Sequence, residues 1–310
     1  MEQLDRMPIT EADFVRVPYA AGKGEAITRP SRSYWSNVLR HILHNKVAMA
    51  SLAVILIIII MSIIGPMMVP YQYNNTSLLE GNQEPSATHW FGTDKPGRDL
   101  WARCWVGARI SLLIGLMGAI IPQLLGIIIG GISGYFGGWV DMVIMRFIDI
   151  CSCIPTLIYL TLIMLLIGSG PVAIVIAVSV TSWTGCARMV RGRILQFKDR
   201  DFVLASRTQG AGAAHLIFRS ILPNIMGQII VDVTSAIPQV IFTEAYLSFI
   251  GLGIQSPMTS WGQLAQSGAS VFRIHPYQLL IPGALISVTI LAFYLFGNCL
   301  RDAMDPHRQN

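Results

Sequence analysis

Residues 110–133 read ISLLIGLMGAIIPQLLGIIIGGIS, 24 residues without an Asp, Glu, Lys or Arg. Such a run exceeds the roughly 20 helical residues that cross the hydrocarbon core of a bilayer. A second run, Val47–Val69, contains 23 residues and no charge. No soluble core needs two segments of that kind, so the chain is read as an all-α membrane protein. Composition points the same way. Of the 310 residues 53% are hydrophobic and 13% are charged, against roughly 25% charged in an average soluble domain.

Working outward from these runs, a third span is expected from about Met142 to Ile167. A fourth runs from the Gly168-Ser-Gly-Pro171 turn to about Ala187, a fifth from about Ile225 to Ile250, and a sixth from Leu279 to Leu300. The first run follows 46 mostly polar residues and lacks a small-residue cleavage site, so it is read as an uncleaved span and not as a signal peptide. The resulting division is a tail over 1–46, a first span over 47–69, a loop over 70–109, a five-helix core over 110–300 and a tail over 301–310. Within the tail, Trp35, Val38, Leu39, Ile42 and Leu43 recur at spacings of three and four, which predicts an interfacial amphipathic helix over 33–46. The core contains the polar loops 200–224 and 251–278. Gly126, Gly130, Gly134 and Gly138 recur every four residues, a stripe along which helices can approach closely.

Six spans put both termini on one side, and Lys and Arg decide which side. Seven lie up to Lys46, seven in 188–224 and two beyond Leu300, against four in 70–109 and one in 251–278; Arg146, inside a span, completes the 22. Both termini are therefore expected in the cytoplasm. The net charge of +5 is explained by this topology. It implies no nucleic acid, because the basic residues lack aromatic interleaving or a recognition motif. The five cysteines lie mostly in or beside apolar runs, and Cys151-x-Cys153 has no second ligand pair nearby, so packing is expected and no metal.

The loop 200–224, RDFVLASRTQGAGAAHLIFRSILPN, stands out in this apolar setting. Phe202–Ala205 fits an amphipathic turn, Gly210-Ala-Gly212 allows a bend, and a second short helix over 213–221 shows Leu216, Ile217 and Ile221 on one side. Pro223 is expected to stop that helix from running unbroken into the next span. From composition alone the loop fits either lipid headgroups or a groove in a soluble partner.

Four ionisable residues lie inside expected spans, where they are costly: Arg146, Asp149, Asp232 and Glu244. Arg146 and Asp149, three apart, are expected to pair as a structural clamp, with a proton relay as the alternative. Asp232 and Glu244 have no evident partner in sequence. Each fits either the transport pathway, attracting a peptide amino terminus, or a pair with a neighbouring subunit. In the first outer loop, Thr93, Asp94, Arg98 and Asp99 sit in a Gly92-Thr-Asp and Gly97-Arg-Asp pair suited to tight turns. Too few oxygen ligands are in view there for calcium. The chain has no G-x-x-x-x-G-K-[ST] phosphate loop, no H-E-x-x-H helix and no G-x-S-x-G elbow. It is not expected to be an enzyme, and energy from ATP would have to enter from another polypeptide.

The order Ala205, Gly210, Ile221-Leu222-Pro223 resembles the EAA loop of binding-protein-dependent ABC importers. Here the acidic first position is Leu204 and the second alanine is Ser206. Residues 89–116, 134–150, 247–264 and 300–306, HWFGTDKPGRDLWARCWVGARISLLIGL, GYFGGWVDMVIMRFIDI, LSFIGLGIQSPMTSWGQL and LRDAMDP, look like the C-type permease of the dipeptide/oligopeptide/nickel importers. The resemblance covers about residues 30–306. It implies the six-span type I importer fold in a bacterial or archaeal cytoplasmic membrane, a homologous B-type permease, two cytoplasmic ATPase subunits that bind ATP and Mg²⁺, and an extracytoplasmic peptide-binding protein. It implies that Leu204, Ala205, Ser206, Gly210, Leu216, Ile221, Leu222 and Pro223 belong to the ATPase-coupling loop, with docking by apolar fit around Ala205, Gly210 and Leu216. It also implies that Thr93, Asp94, Arg98 and Asp99 help receive the binding protein. Fold-back of that loop over the bundle is the competing expectation. Nickel complexes or another small solute are the alternative cargo. A proton-coupled secondary transporter would need an internal inverted repeat, and none is evident. A receptor or assembly anchor that transports nothing is the third possibility.

Overall fold

The computed structural model describes residues 34–305. Of the tail expected over 1–46, residues 1–33 fall outside the described residues, as do the last five residues of the C-terminal tail. Helix α1, Tyr34–His44, buries Val38 against Leu300 and Ala303, while Trp35, Leu39 and Leu43 remain exposed. Asn45 ends it and starts α2, Lys46–Ile64, its Oδ1 accepting from the amides of Val47 (2.9 Å) and Ala48 (3.2 Å). That side-chain oxygen satisfies donors that the first turn leaves orphaned.

Helix α3, Leu100–Phe136, is 37 residues long, about 55 Å at 1.5 Å per residue. It begins ten residues before the uncharged run because Asp99 caps it, Oδ1 accepting from the Ala102 amide at 2.8 Å. The loop expected over 70–109 is shorter by those ten residues, nearly three helical turns. Next come α4, Gly138–Cys153, and α5, Thr156–Ile167, bent by 87° to each other. The continuous third span expected over 142–167 is therefore corrected to a broken one. Pro155 forces Ile154 out of helical geometry, to φ −88 and ψ 128.

Helix α6, Pro171–Phe197, runs ten residues past the expected end. It is followed by α7, Asp201–Thr208, then α8, Ala213–His215, a π turn over Leu216–Ile221, and α9, Leu222–Phe249. Helices α10, Trp261–Ser270, and α11, Tyr277–Met304, complete the chain. Among the described residues five helical segments are long and apolar enough to cross a membrane, and the bent α4–α5 pair brings the number to six if it counts as one span.

The bundle is organised around α3, which packs on α6 and α9. A Cβ added at Gly130 would stand 2.3 Å from the Ala187 carbonyl oxygen, and one at Gly126 would stand 2.9 Å from the Ala187 amide nitrogen. The two backbones touch, so the expected close approach is present at Gly126, Gly130 and Gly134. Gly138 does not share it: nothing lies within 4 Å, and its φ of +52 serves the turn into α4.

Candidate functional site

At one end of the bundle the chain leaves α6, makes the short helix α7, turns, and returns into α9. Arg200 precedes α7 in extended geometry, and Asp201 sits in its first turn, where a negative charge complements the helix dipole. The end of α7 is a Schellman turn: the Gly210 amide donates to the Arg207 carbonyl (3.0 Å) and the Ala211 amide to the Ser206 carbonyl (3.2 Å). This geometry needs a left-handed residue, and Gly210 supplies it at φ +84. Ser206 Oγ donates to the Phe202 carbonyl at 2.9 Å, so the hydroxyl at the second-alanine position is used within its own helix.

Val203, Leu216, Ile217 and Ile221 turn inward and pack with Val190, Ile194 and Ile225. The expected shared side of Leu216, Ile217 and Ile221 is thus present, and it faces this chain's own bundle. Leu216 is 1% exposed, so it cannot offer the apolar fit to a partner that sequence assigned to it. Phe202, Leu204 and Phe218, each more than 40% exposed, and Ala205 form the outward surface.

The helix does not break at Pro223, as the sequence predicted. The π turn shifts the hydrogen-bond register, the Leu222 amide donating to the Ile217 carbonyl. Proline then falls at the start of a new α-helical register, where its missing N–H costs little. The segment 213–249 is consequently one continuous helical rod. Among the described residues none of the ion pairs draws on residues 198–224.

The other candidates lie apart from this lever. Arg146 and Asp149 do not form the expected clamp. Asp149 accepts from Arg188 Nη2 at 3.1 Å, because α6 brings a guanidinium across from a neighbouring helix. A stronger tie, missed in the sequence reading, is Asp141 of α4 with Arg191 of α6, reinforced by Ser133 Oγ of α3. The extension of α6 beyond Ala187 is what puts Arg191 there. Asp232 is half-buried on α9, accepts from Gln228 Nε2 at 2.9 Å, and has Arg193 and Arg301 in its electrostatic neighbourhood. Glu244 is 0% exposed, its carboxylate accepting from Ser111 Oγ at 2.9 Å and Ser248 Oγ at 2.8 Å. Within this chain it is enclosed, and it ties α9 to α3 from inside.

Thr93, Asp94, Arg98 and Asp99 are all buried. Arg98 Nε donates to Asp94 Oδ2 at 2.8 Å and Arg98 Nη1 to Ser256 Oγ at 2.9 Å, joining the loop before α3 to the loop after α9. Arg103, fully buried, lies 3.5 Å from the same carboxylate and donates to Gln263 Oε1 at 3.1 Å. Asp99, besides capping α3, contacts His89 Nδ1 at 2.8 Å. These residues hold the loop folded back on the bundle, so the surface it presents outward is made by others, such as Leu78 and Leu79.

At one end of this bundle of apolar helices sits a helix–turn–helix whose outward face carries Phe202, Leu204 and Phe218, and among the described residues its charges enter no ion pair. Comparison with known proteins gives the class, a transport permease. The model for the binding-protein-dependent transport system inner membrane component matches residues 126–310, and that for the N-terminal transmembrane domain of oligopeptide transport permease C matches residues 33–85. The chain belongs to the binding-protein-dependent transport system inner membrane component family. It is 44% identical to the oligopeptide transport system permease protein OppC of Bacillus subtilis, covering 92% of this chain and 94% of that one. To the dipeptide transport system permease protein DppC of the same organism it is 45% identical, over 92% and 89%. The Escherichia coli OppC is 36% identical, over 91% and 94%. In fold, the chain is similar to one from the inward-facing MetNI methionine ABC transporter, with a TM-score of 0.53 and 15% identity over 64% of this chain and 94% of that one.

Proposed function

We propose that this chain is one of two homologous permeases of an ATP-driven importer, enclosing with its partner the path of peptides handed over by an extracytoplasmic binding protein. Two cytoplasmic ATPase subunits supply the energy and hold the ATP and Mg²⁺; the chain itself carries no cofactor. The termini and residues 200–224 lie in the cytoplasm, and the membrane is the cytoplasmic membrane of a bacterium or archaeon. Peptide as cargo is supported by the OppC and DppC relatives.

The observation that carries this reading is the lever: an exposed α7, a fixed left-handed turn at Gly210, and a rod continuous from Ala213 to Phe249. A push on α7 is transmitted along α9 because Leu216, Ile217 and Ile221 bolt the return helix to α6. Closure of the ATPases moves the lever, and the spans switch between inward and outward openings. The direction of that shift is set by which state each ligand binds more tightly.

Co-purification of the tagged chain with its ATPases and second permease tests this. Gly210→Pro is incompatible with the φ of +84, since proline is fixed near −65°; Ala205→Arg puts a bulky charge on the exposed face. Both variants should lose the ATPases while keeping the second permease. Retention of the ATPases by both would overturn the reading.

A further inference from the structure

Two apolar pockets run along the outside of the seam between α2 and α11. One, of about 390 Å³, is floored by Ile58, Trp105 and Leu285; the other, of about 340 Å³, lies beside Ala50, Ser51 and Ala292. They share Val54 and Val288, so together they form one groove. Its rim residues, Val47, Ile57, Val288 and Leu291, are each about half exposed, which opens the groove away from the bundle. Apart from Ser51, whose hydroxyl donates to the Ala48 carbonyl at 3.0 Å, the lining side chains are apolar until Lys46, which stands at one end. The Lys46 ammonium is exposed and takes part in none of the ion pairs among the described residues.

From Lys46 to Ile58 along α2 is twelve residues, an axial rise of about 18 Å. One leaflet of hydrocarbon is about 15 Å deep. The groove therefore has the length of one acyl chain, with a single cation where the headgroup phosphate of a lipid in that leaflet would lie. The same end carries Arg40 on α1 and Asp302 on α11, so it is the Lys46 ammonium in the groove itself that favours a negatively charged headgroup over a zwitterionic one. We infer that the α2–α11 groove is a binding site for an anionic phospholipid, one acyl chain lying from Lys46 to Ile58 and its phosphate paired with Lys46. This rests on membrane insertion alone and is independent of what the chain transports.

The test uses the purified complex, stripped of lipid in detergent and offered phosphatidylglycerol or phosphatidylcholine, with bound lipid counted by native mass spectrometry. Wild type should retain phosphatidylglycerol about five-fold more than phosphatidylcholine, the preference one lysine near a headgroup provides. Lys46→Gln should abolish the preference, and Val288→Trp, which fills the groove where the pockets meet, should remove one bound lipid of either kind. Inorganic phosphate and glycerol phosphate should displace nothing, which separates a lipid site from a plain phosphate site. A preference unchanged in Lys46→Gln, an unchanged lipid count in Val288→Trp, or displacement by free phosphate would overturn the proposal. So would a photo-crosslinker at Ile57 that captures a protein chain instead of lipid.

Discussion

Gly130→Ala is a one-carbon change whose sign the structure decides. An alanine in a helix interior gains up to about 1 kcal/mol over glycine by propensity. At Gly130 that carbon would stand 2.3 Å from the Ala187 carbonyl oxygen, where ordinary contact begins at 3.4 Å. The obstacle is backbone, so no rotamer change relieves it, and α3 and α6 must separate by about 1 Å. A gap of that size forfeits a quarter to a half of the dispersion energy of the contacts it opens. Overpacking of this kind costs about 1–3 kcal/mol, and a backbone clash lies at the upper end. Net destabilisation of about 2 kcal/mol is expected. Gly185→Ala on α6 is the control, since nothing lies within 4 Å of its Cβ position; it should be neutral or stabilising by up to about 1 kcal/mol. Unfolding of the purified protein in mixed micelles, followed by tryptophan fluorescence, measures both. Gly130→Ala as stable as wild type would refute the backbone-contact account of the α3–α6 seam.

Substitutions at four other residues separate structural charges from functional ones. Arg103→Met leaves Asp94 paired with Arg98 but strips the buried Gln263 Oε1 of its guanidinium donor, and should cost about 1–3 kcal/mol, whereas Asp149→Asn, which breaks an exposed pair, should cost under about 1 kcal/mol in the same unfolding assay. Glu244→Gln keeps an acceptor and matches the volume, so it should stay within about 1 kcal/mol of wild type. Glu244→Ala strands the Ser111 and Ser248 hydroxyls and opens a cavity, for a loss of about 2–4 kcal/mol. Asp232→Asn should impair peptide uptake while leaving ATPase binding intact; collapse of the assembly would make Asp232 structural.

Much of this architecture was written in local sequence. Uncharged length alone marked α2 and α3, and the four-residue glycine spacing marked the face on which α3 meets α6. The inward trio Leu216, Ile217 and Ile221 followed from helical periodicity. What escaped depends on partners far along the chain or on backbone detail. The run 142–167 is apolar on average despite Arg146 and Asp149, so hydropathy passes over the bend, and only Pro155 signals it. Pro223 looked like a helix end because a π turn, which has no sequence pattern of its own, absorbs it. Arg146 and Asp149 are suitably spaced to pair, but Arg188 reaches Asp149 from α6, 39 residues away. The hydrogen bond that Ser111 donates to Glu244 spans 133 residues. Burial of Asp94 and Asp99 likewise follows from how the loops before α3 and after α9 interlock, which local turn chemistry cannot convey.

The lever's role in energy coupling is tested most directly by uptake of a labelled peptide into proteoliposomes that hold both permeases, the ATPases and the binding protein. Uptake should require ATP and fall to background with Ala205→Arg, although both permeases remain assembled. Uptake that persists without any ATPase, driven by a proton gradient, would contradict the account.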